Sequence, residues 1–283
     1  MKVLIIQENG RHDRNRNFRE CFCLQRAFSA LSIESDVWGL GHSEYRDEPQ
    51  WDEYELIINL ENYDVSNWVP NIKDVKAKKF LWSIDAHVKG LGCYEKTAVE
   101  GDYDLILQAT PEFVTSRHAR SVWLPNCYDD EVIFPTDSLP MYDWGFCGNI
   151  NNRQPILNAM RHVSENSAIE VMAIGPDMVS AICSYKIHVN ANISIDINYR
   201  NFETMGCRVP LLTSYNKHYS VLGFQDGVNC LIYKDVERMM KKAKGLLDGP
   251  ERIRKELAEA GYDLAKKHTF KERAKRILEL AGW

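Results

Sequence analysis

Short apolar runs alternate with stretches of helical period along almost the whole chain, and the alternation occurs twice, on either side of an aperiodic segment at 129–143 that carries Pro135 and Pro140. A chain of this pattern pairs its strands in parallel and crosses back through helices, because a parallel partner cannot be reached by a tight turn. The spacing predicts strands at 2–6, 35–38, 55–60, 79–83, 105–108 and 122–124. A helix carries Phe18, Cys21, Phe22, Leu24, Phe28 and Leu31, and a short one is predicted at 114–118. After the break, strands are predicted at 144–147, 170–174, 187–189, 209–213 and 230–233. Helices are predicted at 153–163, 178–185, 199–205, 236–247, 250–267 and 269–280. At 283 residues the chain is long enough for two domains, each with its own core. The expected class is α/β: two Rossmann-like, doubly wound domains facing each other across a cleft. In such sheets ligands lie beyond the carboxyl ends of the strands.

The segment from Asp196 to Thr213 holds the most chemistry. Asn198 stands where a helix cap is expected, Glu203 lies one turn inside, Cys207 and Arg208 close the helix, and an apolar run follows as a buried strand. A helix N-terminus offers unpaired N–H groups and partial positive charge to a diphosphate, and a carboxylate one turn deeper accepts both hydroxyls of a ribose. Gly148 and Asn149 form a turn after the strand at 144–147, and Arg153 follows at the start of the next helix. A cation there opposes the helix dipole unless an anion is near, and a guanidinium takes two phosphate oxygens at once. Arg200 follows the same logic. A charged Glu203 among Phe202 and Met205 is costly to bury without a ligand or partner.

The pattern Asn198-Tyr-Arg200-Asn201-Phe202-Glu203, followed after six residues by Pro210-Leu-Leu-Thr213, resembles the donor-binding element of GT-B glycosyltransferases, in the group 1-like branch that holds the spore-maturation CgeB-like proteins. Phe146-Cys-Gly148-Asn149 with Arg153, Trp123-Leu-Pro-Asn126 with Phe134, Asp226-Gly227 through Asp235, and His268-Thr-Phe-Lys-Glu-Arg273 resemble further parts of that family in the same order. The resemblance implies an N-terminal acceptor domain at 1–137, a donor domain at 138–267 and a last helix at 268–283 crossing back to the first. It implies a nucleoside diphosphate sugar as donor substrate, with Gly148, Asn149, Arg153, Asn198, Arg200, Asn201, Phe202 and Glu203 on the donor side, and no further cofactor. Retaining relatives often carry a second Glu eight residues before the first, and Ile195 stands there in this chain.

In the first half, Asp85 sits at the carboxyl end of a predicted strand, where a carboxylate serves as general base toward an acceptor hydroxyl. His12 and His87 are alternates, because neutral imidazole is the usual base near pH 7. Arg11, Arg14 and Arg16 crowd the loop after the first strand, beside Arg19. They suit an anionic acceptor: a phosphorylated glycan, a polymer or a modified DNA base. Formal charge of −5 gives no global pull toward nucleic acid.

Asp102-Tyr-Asp104 spells an Asp-x-Asp motif directly before a strand and is read as a turn, so no metal is expected. The eight cysteines include no Cys-x-x-Cys pair and are expected to be reduced thiols. Only Gly10 follows the first strand, without Gly-x-Gly-x-x-Gly, which argues against a nicotinamide or flavin enzyme. The opening run Met1–Ile6 meets polar Gln7, too short for a signal-peptide core, and no window reaches a membrane span, so a cytoplasmic protein is expected. The sequence-level alternative to an enzyme is a non-catalytic nucleotide-sugar-binding or assembly protein on the same fold.

Overall fold

The computed structural model describes residues 1–10, 12–46, 48–62, 68–115, 119–192 and 194–283. The chain divides into two compact units, Met1–Asn126 together with Phe270–Trp283, and Cys127–Thr269. In the first, β1 (Lys2–Ile6), β2 (Glu34–Trp38), β3 (Leu56–Leu60), β4 (Lys78–Ser83), β5 (Leu105–Gln108) and β6 (Ser121–Trp123) form one sheet in the order β2-β1-β3-β4-β5-β6. Every pairing is parallel. β3 and β5 are buried at every position, which is why they read as the apolar runs 56–58 and 105–107, followed by buried Asn59 and Gln108, rather than as alternating patterns. Helices α1 (Glu20–Ser29), α2 (Ala86–Lys89) and α3 (Leu91–Glu100) connect them. Leu4, Ile6, Ile57, Leu81 and Ile106 make one face of the core, on which Tyr94 and Ala98 of α3 pack.

In the second unit, β7 (Trp144–Cys147), β8 (Ser167–Glu170), β9 (His188–Asn190), β10 (Leu211–Ser214) and β11 (Leu231–Tyr233) form a parallel sheet in the order β11-β10-β9-β7-β8. Its helices are α4 (Gln154–Arg161), α5 (Pro176–Cys183), α6 (Tyr199–Gly206), α7 (Val236–Asp248) and α8 (Glu251–Ala265). Trp144, Phe146, Leu157, Val189 and Leu212 lie at the centre of its core. The last helix, α9 (Phe270–Ala281), belongs to the first unit: Phe270 meets Trp82 at 6.2 Å, and Lys78 donates through Nζ to the Ala281 carbonyl.

Several local expectations shift. β8 ends where the strand at 170–174 was expected to begin, because it is an edge strand whose length is set by β7, paired from Trp144↔Ser167 to Cys147↔Glu170. The apolar residues beyond that partner stay out of the sheet, and Met172 is exposed. β10 starts after Pro210, whose missing N–H cannot join the ladder; its carbonyl instead accepts from the His188 N–H at 3.0 Å. The polar loop after β1 contains a 3₁₀ turn, Asp13–Phe18. Helix 114–118 is not formed at Val114, which is extended after a 3₁₀ turn at Pro111–Phe113, and residues 116–118 lie outside the described residues. Asp102 takes φ +52 in the turn entering β5, and Asp104 accepts the Lys79 N–H at 2.8 Å, so the Asp-x-Asp motif is a strand-entry turn.

Candidate functional site

At the carboxyl end of β7 the chain turns at Gly148, whose φ of +143° suits only glycine, and the Asn149 side chain accepts the Asn151 N–H at 2.9 Å. This turn brings Arg153 to the N-cap position of α4 rather than its first turn. Arg153 is 9% exposed. Its Nε donates to the Ala191 carbonyl at 2.9 Å and its Nη1 to the Asn149 carbonyl at 2.6 Å, and Nη2 has no partner among the described residues. Burial lowers its pKa, Asp196 acts against that, and the charge of Arg200 lowers it further. Two guanidinium groups, Arg153 at the N-cap of α4 and Arg200 in the first turn of α6, therefore feel each other, a costly arrangement unless negative charge is supplied.

Part of that charge is internal. Arg200 Nη1 lies 2.8 Å from Glu203 Oε2, with side chains 19% and 16% exposed. Glu203 raises the Arg200 pKa against the opposing effect of burial. The buried Nη1–H is not aligned as a hydrogen bond, so the contact is an ion pair that leaves hydrogen-bonding capacity unused. Asp196, buried just before α6, adds a carboxylate whose Oδ1 has no partner among the described residues.

Asn198 occupies the N-cap position of α6 but does not cap it with its side chain. Its amide joins a buried network instead. Asn201, fully buried, donates to Asn192 Oδ1 (3.1 Å) and the Asn198 carbonyl (3.1 Å), and accepts from Asn190 Nδ2 (3.0 Å), Thr213 Oγ1 (2.8 Å) and the Tyr219 hydroxyl (3.0 Å). Phe202 is also fully buried, against Phe224 and His268. The structure thus brings Arg153, Arg200 and Glu203 together and places Asn201 and Phe202 on the inner side of the helix. Sequence reasoning missed Asn190, Asn192, Thr213 and Tyr219. Polar residues at the ends of β9 and β10 were the only signal.

His188 was missed as well. The Cys147 N–H donates to His188 Nε2 (3.1 Å), so the ring proton sits on Nδ1 and is donated to Thr204 Oγ1 (2.5 Å), which donates to the Arg200 carbonyl (2.6 Å). This chain ties β7 and β9 to α6. Burial first, then the charge of Arg200, holds the His188 pKa well below the usual histidine value. Below about pH 6.5 the unfolded chain takes up a proton that folded His188 refuses, whereas above it neither state does. Stability is therefore expected to fall toward acid by up to about 1.4 kcal/mol per pH unit from this group alone. Urea unfolding between pH 7.5 and 5 is expected to show a shallower fall for His188→Gln; parallel slopes would assign the acid sensitivity elsewhere.

In the first unit, the carboxyl end of β4 presents Asp85, half-exposed at the N-cap position of α2 without a capping side-chain bond. Its N–H and that of Ile84 both donate to Glu61 Oε2 at 2.7 Å, and Lys89 pairs with Glu61 Oε1 at 3.1 Å. His87 is half-buried on α2, and His12 is exposed at the start of the 3₁₀ turn after β1. Arg14 and Arg16 are exposed and Arg11 lies outside the described residues. Arg16 stacks on Phe22 at 5.1 Å and lines a cavity of about 480 Å³ with Asp36, Trp38, His42 and Tyr54. Arg19 separates from the group: it is buried, donates to the Glu8 carbonyl at 3.1 Å and pairs with Glu20 at 3.7 Å. None of the eight cysteines is in a disulfide, and Cys93 alone is exposed. Among the described residues no helix is long and apolar enough to cross a membrane.

Residues 155–279, less than half of the chain, match the family model described as glycosyl transferase-like. No curated protein matches the chain. Among solved structures, an alpha-glucosyltransferase in complex with UDP and a 13-mer DNA containing a HMU base is similar over 100% of both chains, at 10% identity and TM-score 0.68. T4 phage beta-glucosyltransferase is similar over 99% of both, at 13% identity and TM-score 0.68. Sucrose-phosphate synthase from Thermosynechococcus elongatus is similar over 99% of this chain and 98% of its own, at 11% identity and TM-score 0.65. At such identities the likeness is one of fold: two parallel sheets with flanking helices, the α/β arrangement of GT-B glycosyltransferases.

Proposed function

We propose that the chain is a glycosyltransferase of the group 1-like, CgeB-like branch, moving a hexose or pentose from a nucleoside diphosphate sugar to an acceptor hydroxyl. One observation carries this reading: Arg153 and Arg200 converge at the strand ends of the second unit with a carboxylate, Glu203, one turn inside the adjoining helix. The glycosyl transferase-like match spans the same helix. In this reading Arg153, Arg200 and the N-terminus of α6 stabilise the departing diphosphate, where negative charge grows in the transition state. Glu203 holds the ribose. Asp85 takes the acceptor proton, with His12 and His87 as alternates. UDP is the nucleotide to try first, since it occupies one of the similar structures. The exposed Arg14 and Arg16 suit an anionic acceptor such as a phosphorylated glycan, polymer or modified DNA base.

A thermal-shift panel of nucleoside diphosphates and their sugars, followed by a transfer assay, tests this. At a hundred times its Kd a ligand stabilises by about 2.7 kcal/mol, which is roughly 5–10 °C for a unit of this size. One nucleotide class is expected to reach that range. Absence of any shift would defeat the reading, and a shift without sugar transfer to any acceptor would favour a non-catalytic nucleotide-sugar-binding or assembly protein.

A further inference from the structure

The carboxyl end of the first unit's sheet holds a cluster of buried polar groups that the fold itself leaves unanswered. Ser83 closes β4 and Gln108 closes β5, and the two are register partners, so their side chains leave the sheet on the same face. Both are fully buried. Ser83 Oγ, and both the oxygen and the nitrogen of the Gln108 amide, have no partner among the described residues. Thr110, two residues on and 1% exposed, stands at the N-cap of the Pro111–Phe113 turn without capping it, and its Oγ1 is also unpartnered. Buried amides and hydroxyls are ordinarily satisfied, so several lapses at the strand ends of a doubly wound sheet mark a place built for something else.

We infer that Ser83, Gln108 and Thr110 form the floor of an acceptor subsite that takes the vicinal hydroxyls of a neutral sugar. This rests on the glycosyltransferase reading and names the acceptor class within it. The floor atoms carry no charge, and the charged groups beside them are acidic or already paired: Glu61 with Lys89, and Asp85 on the half-exposed rim. Among the described residues a phosphate there would meet the Glu61 and Asp85 carboxylates, with Lys89 already held by Glu61. A hydroxyl both donates and accepts, which matches an amide with both ends open beside two hydroxyls. A sugar seated there lies next to Asp85, the proposed base. Entry requires α2 to move, since Ala86 packs onto the same face as Leu81 and Ile106. Gly90, between α2 and α3 at φ +84 with open space where a Cβ would stand, supplies the pivot. A phosphorylated glycan fits both features, with its sugar on this floor and its phosphate on the exposed arginines.

The test titrates the whole chain, followed by amide chemical shifts, with methyl glycosides of glucose, galactose, mannose and N-acetylglucosamine, and separately with thymidine and deoxycytidine. At least one glycoside is expected to shift the Gln108 side-chain resonance, with affinity weakened tenfold or more in Gln108→Leu and Ser83→Ala. Thr110→Val, nearly isosteric, secures the result if Gln108→Leu fails to fold. Binding by nucleosides but not glycosides, unchanged affinity in the variants, or a crystal structure in which one ordered water satisfies Ser83 and Gln108 and stays when glycosides are soaked in, overturns the inference. The nucleotide panel is run in parallel: glycoside binding that depends on Gln108 in a protein that binds no nucleotide keeps the subsite and rejects the transferase.

Discussion

Glu203→Ala is expected to weaken nucleoside diphosphate binding about 10- to 100-fold while leaving inorganic pyrophosphate bound at least as tightly as in the wild type; Arg200→Ala weakens both. The two residues form one ion pair in the free protein, yet they face different parts of the proposed ligand. A carboxylate accepting ribose hydroxyls makes charge-assisted hydrogen bonds of about 1.5–3 kcal/mol, which sets the lower affinity. Its removal also frees Arg200 from internal neutralisation, so bare diphosphate meets a stronger cation beside Arg153. A folded-state penalty accompanies this. Removing one partner of a fully buried pair costs about 3–5 kcal/mol, and with these side chains 19% and 16% exposed the expected loss is nearer 1–2 kcal/mol. Calorimetric titration with UDP and with pyrophosphate separates the roles. If Glu203→Ala loses both ligands in parallel, Glu203 acts only by orienting Arg200, and the ribose contact is wrong.

The architecture was legible because parallel strands covered on both faces are mostly apolar, as at 56–58 and 105–107, with buried Asn59 and Gln108 as the polar exceptions. The pattern failed at an edge. Val171 and Met172 read as strand, but the last ladder bond runs from the Gly148 N–H to the Glu170 carbonyl at 2.9 Å, and the chain turns away at Gly148, so the ladder stops at Glu170. Within the site, the sequence separated helix positions less well than helix geometry does. Arg200, Asn201, Phe202 and Glu203 are consecutive, but successive side chains diverge by about 100°, so only the first and last share a face. The loop arginines show the same limit: Arg16 reaches an exposed cavity rim, while Arg19, three residues on, is buried against Glu8 and Glu20. The asparagine network was invisible for a different reason. Asn190 and Thr213 meet only because β9 and β10 pair in register, and Tyr219 joins them from a 3₁₀ turn, an adjacency no spacing rule encodes.

That network makes Asn201→Ala the largest expected loss of stability, about 2–4 kcal/mol, since its shortest bonds are lost in a fully buried place and each buried donor or acceptor left poorly paired costs about 1–3 kcal/mol. The Asn201 amide is filled to capacity, with two donated and at least two accepted bonds in a fully buried position. Its truncation leaves Asn190 Nδ2 with the longer bonds to Asn198 Oδ1 and Thr213 Oγ1, both at 3.3 Å, and Asn192 Oδ1 with Asn190 Nδ2 at 3.5 Å, while Thr213 and Tyr219 keep each other at 2.9 Å. Tyr219→Phe removes one hydroxyl from the same network and is expected to cost about 1 kcal/mol, because the remaining members still pair. Hydrogen exchange read by peptide, rather than one global transition, locates the effect in a two-unit chain. Protection is expected to fall across β9, β10 and α6 and to hold in β3 and β4. Because Asn201 anchors the first turn of α6 and is itself fully buried, its loss is expected to displace Arg200 from Arg153, and nucleotide affinity to fall with it. An Asn201→Ala variant with wild-type exchange in α6 but weakened nucleotide binding would place the amide in direct contact with the ligand and contradict its assignment to the network.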